Sequence, residues 1–188
     1  VYKELIDDGI ETVMVGHIAL PEYSYKLNPD LTYQDILPAS LSVELLDTLL
    51  KEKLGFNGLV VTDASHMVGI AAAMEREKAV PTTIASGCDM FLFFNDPEED
   101  FEFMLNGYKN GIITEERLLD ALRRILGLKA KLKLHEKQAN GTLITDPSIL
   151  DVVGCEEHLE MAKVAVDRGI SLIKDTWNQL PITPITHK

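Results

Sequence analysis

The sequence predicts an α/β fold in which short strands of a parallel sheet alternate with helices. The prediction rests on continuous apolar runs of strand length, on amphipathic segments between them, and on a composition typical of a globular protein. Of the 188 residues, 46% are hydrophobic and 26% are charged, which is usual for a folded domain. Because the apolar runs are continuous rather than alternating, we expect strands that are covered by helices on both faces of the sheet.

The first elements are a helix end, a strand and a long connection. Residues 1–8 are typical of the end of a helix, and residues 11–20 form a nearly continuous apolar run. Residues 22–40 are polar and contain prolines and tyrosines, so we predict a long loop. Loops of this length in compact domains are generally functional or disordered.

The next segment contains the most informative pattern in the chain. An amphipathic helix begins at Ser42 and is closed by Gly55, and a short β-branched run over residues 59–62 ends directly at Asp63. The carboxyl ends of parallel strands are where ligands bind and chemistry takes place. Asp63 is therefore a catalytic candidate, and the alternative is that it is the N-cap of the following helix.

The remaining elements continue the alternation and then change in character. We predict a small-residue helix over 69–74, a short helix opened by Pro81, a strand over 89–94, and helices over 97–110 and 114–134. Residues 135–154 predict a polar linker with Asn-Gly and Asp-Pro turns. A helix over 155–168 and a strand over 170–174 predict the truncated start of a second domain, residues 155–188, after a first domain over residues 1–134.

Charge and cysteine content exclude several classes of function. The net charge of −12 argues against nucleic acid or an anionic membrane surface as a partner, because phosphate groups are bound by basic patches. Cys88 and Cys155 form no disulfide framework and have no metal-ligand spacing, and we expect Cys88 to be a small buried apolar side chain. No apolar run approaches the length that a membrane helix needs. The chain begins inside a predicted helix, so we expect that its N-terminal part is missing, and the sequence indicates no cellular compartment.

Several blocks resemble glycoside hydrolase family 3, and most closely its β-N-acetylhexosaminidase branch. They occur in the expected order along nearly the whole chain. The matching blocks are Met14-Val-Gly-His-Ile18, Pro38-Ala-Ser-Leu-Ser42, Gly55-Phe-Asn-Gly-Leu-Val-Val-Thr-Asp63, Met67, Ala85-Ser-Gly-Cys-Asp-Met90 and Asp167-Arg-Gly-Ile-Ser-Leu-Ile-Lys-Asp175. The resemblance implies the last three βα units of a (β/α)8 barrel, a linker, and the first elements of an α/β sandwich domain.

The resemblance also implies roles for individual residues. Family 3 enzymes retain the anomeric configuration through a covalent intermediate, and Asp63 matches their nucleophile. His17 matches a residue that lines the sugar pocket, although it could instead be a hydrogen-bonded histidine of the barrel wall. Met67 matches a position near the N-acetyl pocket, or it is a core residue. His66 and Ser65 depart from the family pattern; His66 either contacts substrate or is an exposed histidine at a helix start.

Half of the expected site has no counterpart in this sequence. In the hexosaminidase branch the acid/base is a histidine that an aspartate orients, on a loop N-terminal to everything present here. We therefore expect the isolated chain to be inactive and its parent protein to hydrolyse β-linked N-acetylhexosamine or glucose. The resemblance implies no cofactor and no metal. Three strands leave unpaired edges and an uncovered face, so we also expect the isolated chain to self-associate.

Other functions remain open. Within the family, a β-N-acetylglucosaminide phosphorylase would use phosphate in place of water, and a β-glucosidase would accept a different sugar; the Gly16-His17-Ile18 block favours the hexosaminidase branch over the glucosidase branch. The chain could also be a non-catalytic partial-barrel interaction module. A receiver-like domain with Asp63 as phospho-acceptor needs an acidic cluster and a late lysine, and the corresponding positions hold His17 and Asn95.

Overall fold

A computed structural model describes residues 1–185 of the chain as two compact units, Val1–Ala139 and a second that begins at Asn140. The first unit contains a three-stranded sheet in which the strands are parallel and occur in chain order, β1-β2-β3. The strands are β1 (Thr12–Val15), β2 (Leu59–Ala64) and β3 (Met90–Leu92). The α/β class and the parallel sheet are thus as predicted. β1 and β3 are shorter than their apolar runs, whereas β2 continues through Asp63.

Helices follow each strand and cover one face of the sheet. A π-helix, Glu44–Lys53, occupies the position of the predicted amphipathic helix, and short 3-10 helices lie at Tyr33–Asp35 and Ala39–Leu41. The α-helices of this unit are α1 (Tyr2–Asp7), α2 (Pro21–Leu27), α3 (Val68–Ala71), α4 (Arg76–Ala85), α5 (Pro97–Lys109), α6 (Glu115–Lys131) and α7 (Leu134–Ala139).

The main core lies between the central strand and the π-helix. Leu46 and Leu50 of the π-helix pack with Val60 of β2 and with Phe56, and all four side chains are buried. Cys88 belongs to the same cluster and is fully buried, as the sequence predicts. Burying this apolar surface is the main source of stability for the unit, because the apolar side chains of the strand and the helix are removed from water on folding.

The opposite face of the sheet is much less covered. Met14, Val61 and Met90 are register partners across the three strands, and Met14 is 59% and Met90 37% exposed. On β2, Val60 and Thr62 are fully buried whereas Val61 and Asp63 are only partly buried. The sheet therefore has one face packed on helices and one open, apolar face.

Two predictions about local structure in this unit are wrong. The connection over residues 22–40 is not a plain loop, because Pro21 begins α2 and two 3-10 turns follow. Pro81 does not open a helix but lies inside α4. Its ring packs against Gly107 of α5, where a Cβ would lie 2.2 Å from the Cβ of Pro81, so the two helices approach closely at this point.

The second unit also differs from its prediction. The polar segment 135–154 begins within α7 and contains a 3-10 helix, Pro147–Val152. Helix α8 (Glu156–Gly169) forms as predicted. Residues 170–174 do not form a strand, and Ile173 is 96% exposed; within residues 1–185 the only sheet is that of the first unit, so this run has no strand to pair with. The predicted domain boundaries stay a prediction, and the last three residues of segment 155–188 lie outside the described residues.

Candidate active site

Asp63 is the fifth residue of the central strand and lies at its carboxyl end. Its side chain is partly buried, and Oδ1 accepts a hydrogen bond of 2.7 Å from the backbone N–H of Ala64. In the described part of the chain no ion pair involves Asp63. A carboxylate that no cation neutralises, at this edge of a parallel sheet, is available to a ligand.

The strand is irregular at the position of Asp63. Val61 is the partner of Met90 and Ala64 is the partner of Leu92, so three steps along β2 oppose two along β3. The extra residue makes the pairing irregular in the manner of a β-bulge, a feature that often redirects a side chain beside an active site. Thr62 compensates the lost ladder bond, because its buried Oγ1 accepts a hydrogen bond of 2.9 Å from the N–H of Leu92.

His17 lies two residues after β1 and is buried, at 6% exposure. Its Nε2 is 3.2 Å from the carbonyl oxygen of Ala64, and its Nδ1 is 2.6 Å from Oγ of Ser40. The carbonyl can only accept, so Nε2 carries a proton; in the neutral ring Nδ1 then accepts from the Ser40 hydroxyl. Both ring nitrogens are thus hydrogen-bonded to protein. The predicted contact between His17 and a sugar hydroxyl stays a prediction.

Gly69 allows the segment after β2 to approach His17 closely. A Cβ on Gly69 would lie 2.3 Å from the carbonyl oxygen of His17 and 2.9 Å from its Cβ. A real side chain does not fit at these distances, so glycine is needed here for close backbone approach. The start of α3 is therefore packed directly on the residue that binds the carbonyl of Ala64.

Ser65, the residue after Ala64, is bound by Arg76 and by the chain after β3. Arg76, the first residue of α4, donates from Nη1 to the carbonyl of Ser65 (3.2 Å) and from Nη2 to Oγ of Ser65 (3.1 Å). The Ser65 hydroxyl in turn donates to the carbonyl of Phe93 just after β3. Arg76 also pairs with Asp100 of α5, whose side chain is 1% exposed.

His66 and Met67 lie in the turn between β2 and α3, within four residues of Asp63. Both are exposed, Met67 at 43%, and the ring of His66 is tilted against that of Phe93 with centroids 6.3 Å apart. His66 lines a cavity of about 340 Å³ that Arg76 also borders. The predicted contacts of these two residues with substrate stay predictions.

Two kinds of feature are absent from the described residues 1–185. Residues 1–185 contain no group of three or more His, Cys, Asp or Glu side chains arranged to hold a metal ion. No helix in this range combines the length and the apolar character that a membrane crossing requires.

Comparison with known proteins identifies the family. Residues 1–128 match the model of the "Glycosyl hydrolase family 3 N terminal domain". The chain belongs to glycoside hydrolase family 3. The resemblance inferred from the sequence blocks is therefore confirmed, and the parallel sheet with its helices is consistent with a TIM-barrel-type domain.

Relatives within family 3 carry hexosaminidase names. The chain is 46% identical over 183 residues to a "Beta-N-acetylglucosaminidase/beta-glucosidase" of Cellulomonas fimi, covering 97% of this chain and 32% of that protein. It is 30% identical over 105 residues to a "Beta-hexosaminidase" of Methylobacillus flagellatus, covering 56% and 27%. The chain thus spans between about a quarter and a third of the length of these two relatives.

Solved family 3 structures share the fold. "Beta-glucoside phosphorylase BglX bound to 2FGlc" matches with a TM-score of 0.85 and 39% identity over 98% of this chain and 33% of that chain. A β-N-acetylglucosaminidase from Paenibacillus sp. str. FPU-7 matches with a TM-score of 0.58 at 23% identity over 98% and 28% of the two chains, which shows the common fold alone.

The structure brings together residues that the sequence pattern found and others that it missed. Asp63, His17, His66 and Met67 all lie at or just beyond the carboxyl edge of the sheet. The Arg76–Asp100 pair was missed, because Asp100 resembles one more acidic residue in the first turn of a helix. No spacing in the sequence indicates that this pair binds the segment next to Asp63.

Proposed function

We propose that this chain supplies the nucleophile of a retaining β-N-acetylhexosaminidase, and that the nucleophile is Asp63. The observation that carries the proposal is a partly buried carboxylate, without an ion-pair partner among the described residues, at the carboxyl end of the central strand in a family 3 domain. The strands β1 to β3 would be the last three strands of a (β/α)8 barrel. Their parallel pairing in chain order supports this assignment.

The reaction requires two catalytic groups on opposite sides of the anomeric carbon. A carboxylate oxygen of Asp63 would attack that carbon while its bond to the leaving-group oxygen breaks, and an acid supplies a proton to the leaving group. Water would then attack the glycosyl–Asp63 ester with the same group acting as base, which releases the sugar with retained configuration. The resemblance places that acid/base on a segment that this chain does not contain, so we expect the isolated chain to be inactive.

Trapping of the intermediate tests this proposal directly. The full-length protein is incubated with a 5-fluoro N-acetylglucosaminyl fluoride, which forms the ester faster than it is hydrolysed, and the modified peptide is identified by mass spectrometry. We expect the adduct on the peptide that contains Asp63, and none in Asp63→Asn. An adduct on a different carboxylate would overturn the assignment.

A phosphorylase is the second candidate, favoured by the similarity in fold and sequence to a beta-glucoside phosphorylase. In that case phosphate would attack the same ester and yield a glycosyl 1-phosphate. Product analysis in phosphate buffer separates the two, because the hydrolase releases only free sugar. A non-catalytic partial-barrel module would give no adduct in the trapping experiment, and the position of the Asp63 carboxylate argues against it.

A further inference from the structure

Ala64 and Ser65, the two residues after the proposed nucleophile, are hydrogen-bonded to side chains on both the β1 side and the β3 side of the central strand. On the β1 side, Nε2 of His17 binds the carbonyl of Ala64 at 3.2 Å. On the β3 side, Arg76 binds both the carbonyl and the hydroxyl of Ser65 at 3.2 and 3.1 Å. The Ser65 hydroxyl also donates to the carbonyl of Phe93. Side chains therefore tie the two residues after Asp63 to both flanking strands.

Arg76 is itself held in one orientation. Its Nε and Nη2 bind the two carboxylate oxygens of Asp100 at 2.9 and 2.6 Å, a bidentate pair. Oδ2 of Asp100 also accepts from the N–H of Asn95 at 2.9 Å, and the guanidinium carbon lies 5.7 Å from the ring centroid of Phe91. Because the guanidinium is planar and is held by two hydrogen bonds, Arg76 has little freedom to move relative to the loop after β3.

An ion pair with one buried partner, here Asp100, is a poor source of stability, because removing its charge from water offsets most of the attraction. Its geometry, in contrast, is specific. It connects the starts of α4 and α5 to Ser65, the second residue after the proposed nucleophile, at the edge of the sheet where the chemistry is proposed.

We propose that Arg76 and Asp100 are positioning residues that orient Asp63 toward the anomeric carbon. This inference rests on the proposed role of Asp63. Arg76 acts through Ser65, whose carbonyl and hydroxyl it binds, and none of its described contacts involves the carboxylate of Asp63. Misplacement of a reacting group by about 1 Å can cost on the order of 100-fold in rate, so the pair affects turnover more than binding.

Substitutions in the full-length protein test the role. We expect Arg76→Lys and Asp100→Asn to lower kcat by about 10- to 100-fold with KM within about 3-fold, because substrate contacts are unchanged while the nucleophile is displaced. Arg124→Lys is the matched control. Arg124 is similarly buried, pairs with Asp120 and binds the carbonyl of Gly58, but at the opposite edge of the sheet, and kcat should stay within about 2-fold.

A second measurement separates positioning from general damage to the fold. In Asp63→Gly, azide can attack the anomeric carbon of an activated aryl glycoside, which expels the phenolate and forms a glycosyl azide of inverted configuration. If Arg76 acts only through Asp63, adding Arg76→Lys should change this azide-dependent rate by less than about 3-fold, although it slows the wild type much more. Should Arg76→Lys fail to fold, Asp100→Asn takes its place in the cycle.

Four results would overturn the inference. A loss in the azide-dependent rate as large as the loss of kcat in the wild type would assign Arg76 to folding. A rise in KM at constant kcat would assign Arg76 to substrate binding. Absence of azide rescue in Asp63→Gly alone would instead overturn the proposed nucleophile, and this role of Arg76 with it. Normal rescue together with an unchanged kcat in Arg76→Lys would overturn the positioning role only.

Discussion

Opposite edges of one small sheet are each organised around a buried aspartate that pairs with arginine. At the carboxyl edge, Asp100 binds Arg76, which binds Ser65, two residues after Asp63. At the amino edge, Asp89 lies at the start of β3 and its fully buried carboxylate pairs with Arg117 of α6. The same pair of residue types therefore serves two locations with different consequences.

The amino-edge pair connects elements of the scaffold to one another. Oδ2 of Asp89 accepts from the N–H of Val60 at 2.8 Å, and Arg117 and Arg124 also bind Asp120 on the same helix. Burial raises the pKa of Asp89 above its usual value, although the Val60 N–H and Arg117 oppose the shift. In barrels of this type the amino face serves stability and the carboxyl face serves chemistry. We therefore expect the edge of the sheet, more than the residue types, to decide what each of these ion pairs does.

The largest expected effect is on the rate of reaction at the carboxyl edge. Asp63→Asn should lower kcat/KM by about 10⁴-fold or more, because it removes the proposed nucleophile, while the free energy of unfolding stays within roughly 0.5 kcal/mol of the wild type. Steady-state kinetics of the full-length protein and denaturant unfolding measure the two quantities. A large loss of stability with retained activity would show that Asp63 is a scaffold residue like Asp89.

The matching substitution at the amino edge should show the opposite pattern. Asp89→Asn leaves Arg117 without its buried partner, and we expect a loss of about 3–5 kcal/mol in the free energy of unfolding. The rate per folded molecule should be unchanged. Activity corrected for the folded fraction checks this, and a specific loss of kcat would show that the amino edge also contributes to the chemistry.

Two helical glycines offer a second test at the two edges. Gly69→Ala places a Cβ 2.3 Å from the carbonyl of His17, so we expect a loss of about 1–3 kcal/mol in stability and a lower kcat as His17 moves from Ala64. At Gly127 of α6 a Cβ would meet no atom within 4 Å, and Gly127→Ala should stabilise by about 0.5–1 kcal/mol through helix propensity alone. Midpoints of denaturant unfolding give both values. If both variants were neutral, close packing on His17 would not be needed.

The smallest effect concerns the two thiols. Burial raises the pKa of Cys88 to about 12, so in the folded state it stays a neutral, inaccessible thiol, whereas Cys155 is partly exposed. Because the folded pKa lies above the usual value of 9.0, the neutral thiol favours the folded state below pH 9, and this contribution is lost as pH rises toward 12. With a disulfide reagent at about pH 8, we expect Cys155 to react fast and Cys88 to react only on unfolding.

The thiol reaction also reports on the difference between the two edges. Labelling of Cys88, the neighbour of Asp89, should be faster in Asp89→Asn and unchanged in Asp63→Asn, since only the former loosens the amino edge. Rapid labelling of Cys88 in the wild type would show that the core around it opens without unfolding.

Much of the local structure followed from periodicity and from terminal residues. Thr114 is the N-cap of α6, with its Oγ1 accepting from the N–H of Arg117, as the hydroxyl before an acidic turn predicts. The prediction at Pro81 is wrong because a proline is disfavoured inside a helix and is common in its first turn, whereas here it lies within α4, with its ring packed on Gly107. The run at residues 170–174 has strand composition, yet strand formation depends on a pairing partner that composition does not report.

Family membership, the α/β class and the position of Asp63 at the end of an apolar run could all be inferred from the amino-acid sequence, because they depend on local order along the chain. The contacts of His17 with the carbonyl of Ala64, and of Arg76 with both Ser65 and Asp100, became evident only in the folded structure. The residues that make those contacts are 11 to 47 positions apart in the sequence. How the helices pack on the sheet, rather than any spacing in the sequence, decides which of these residues meet.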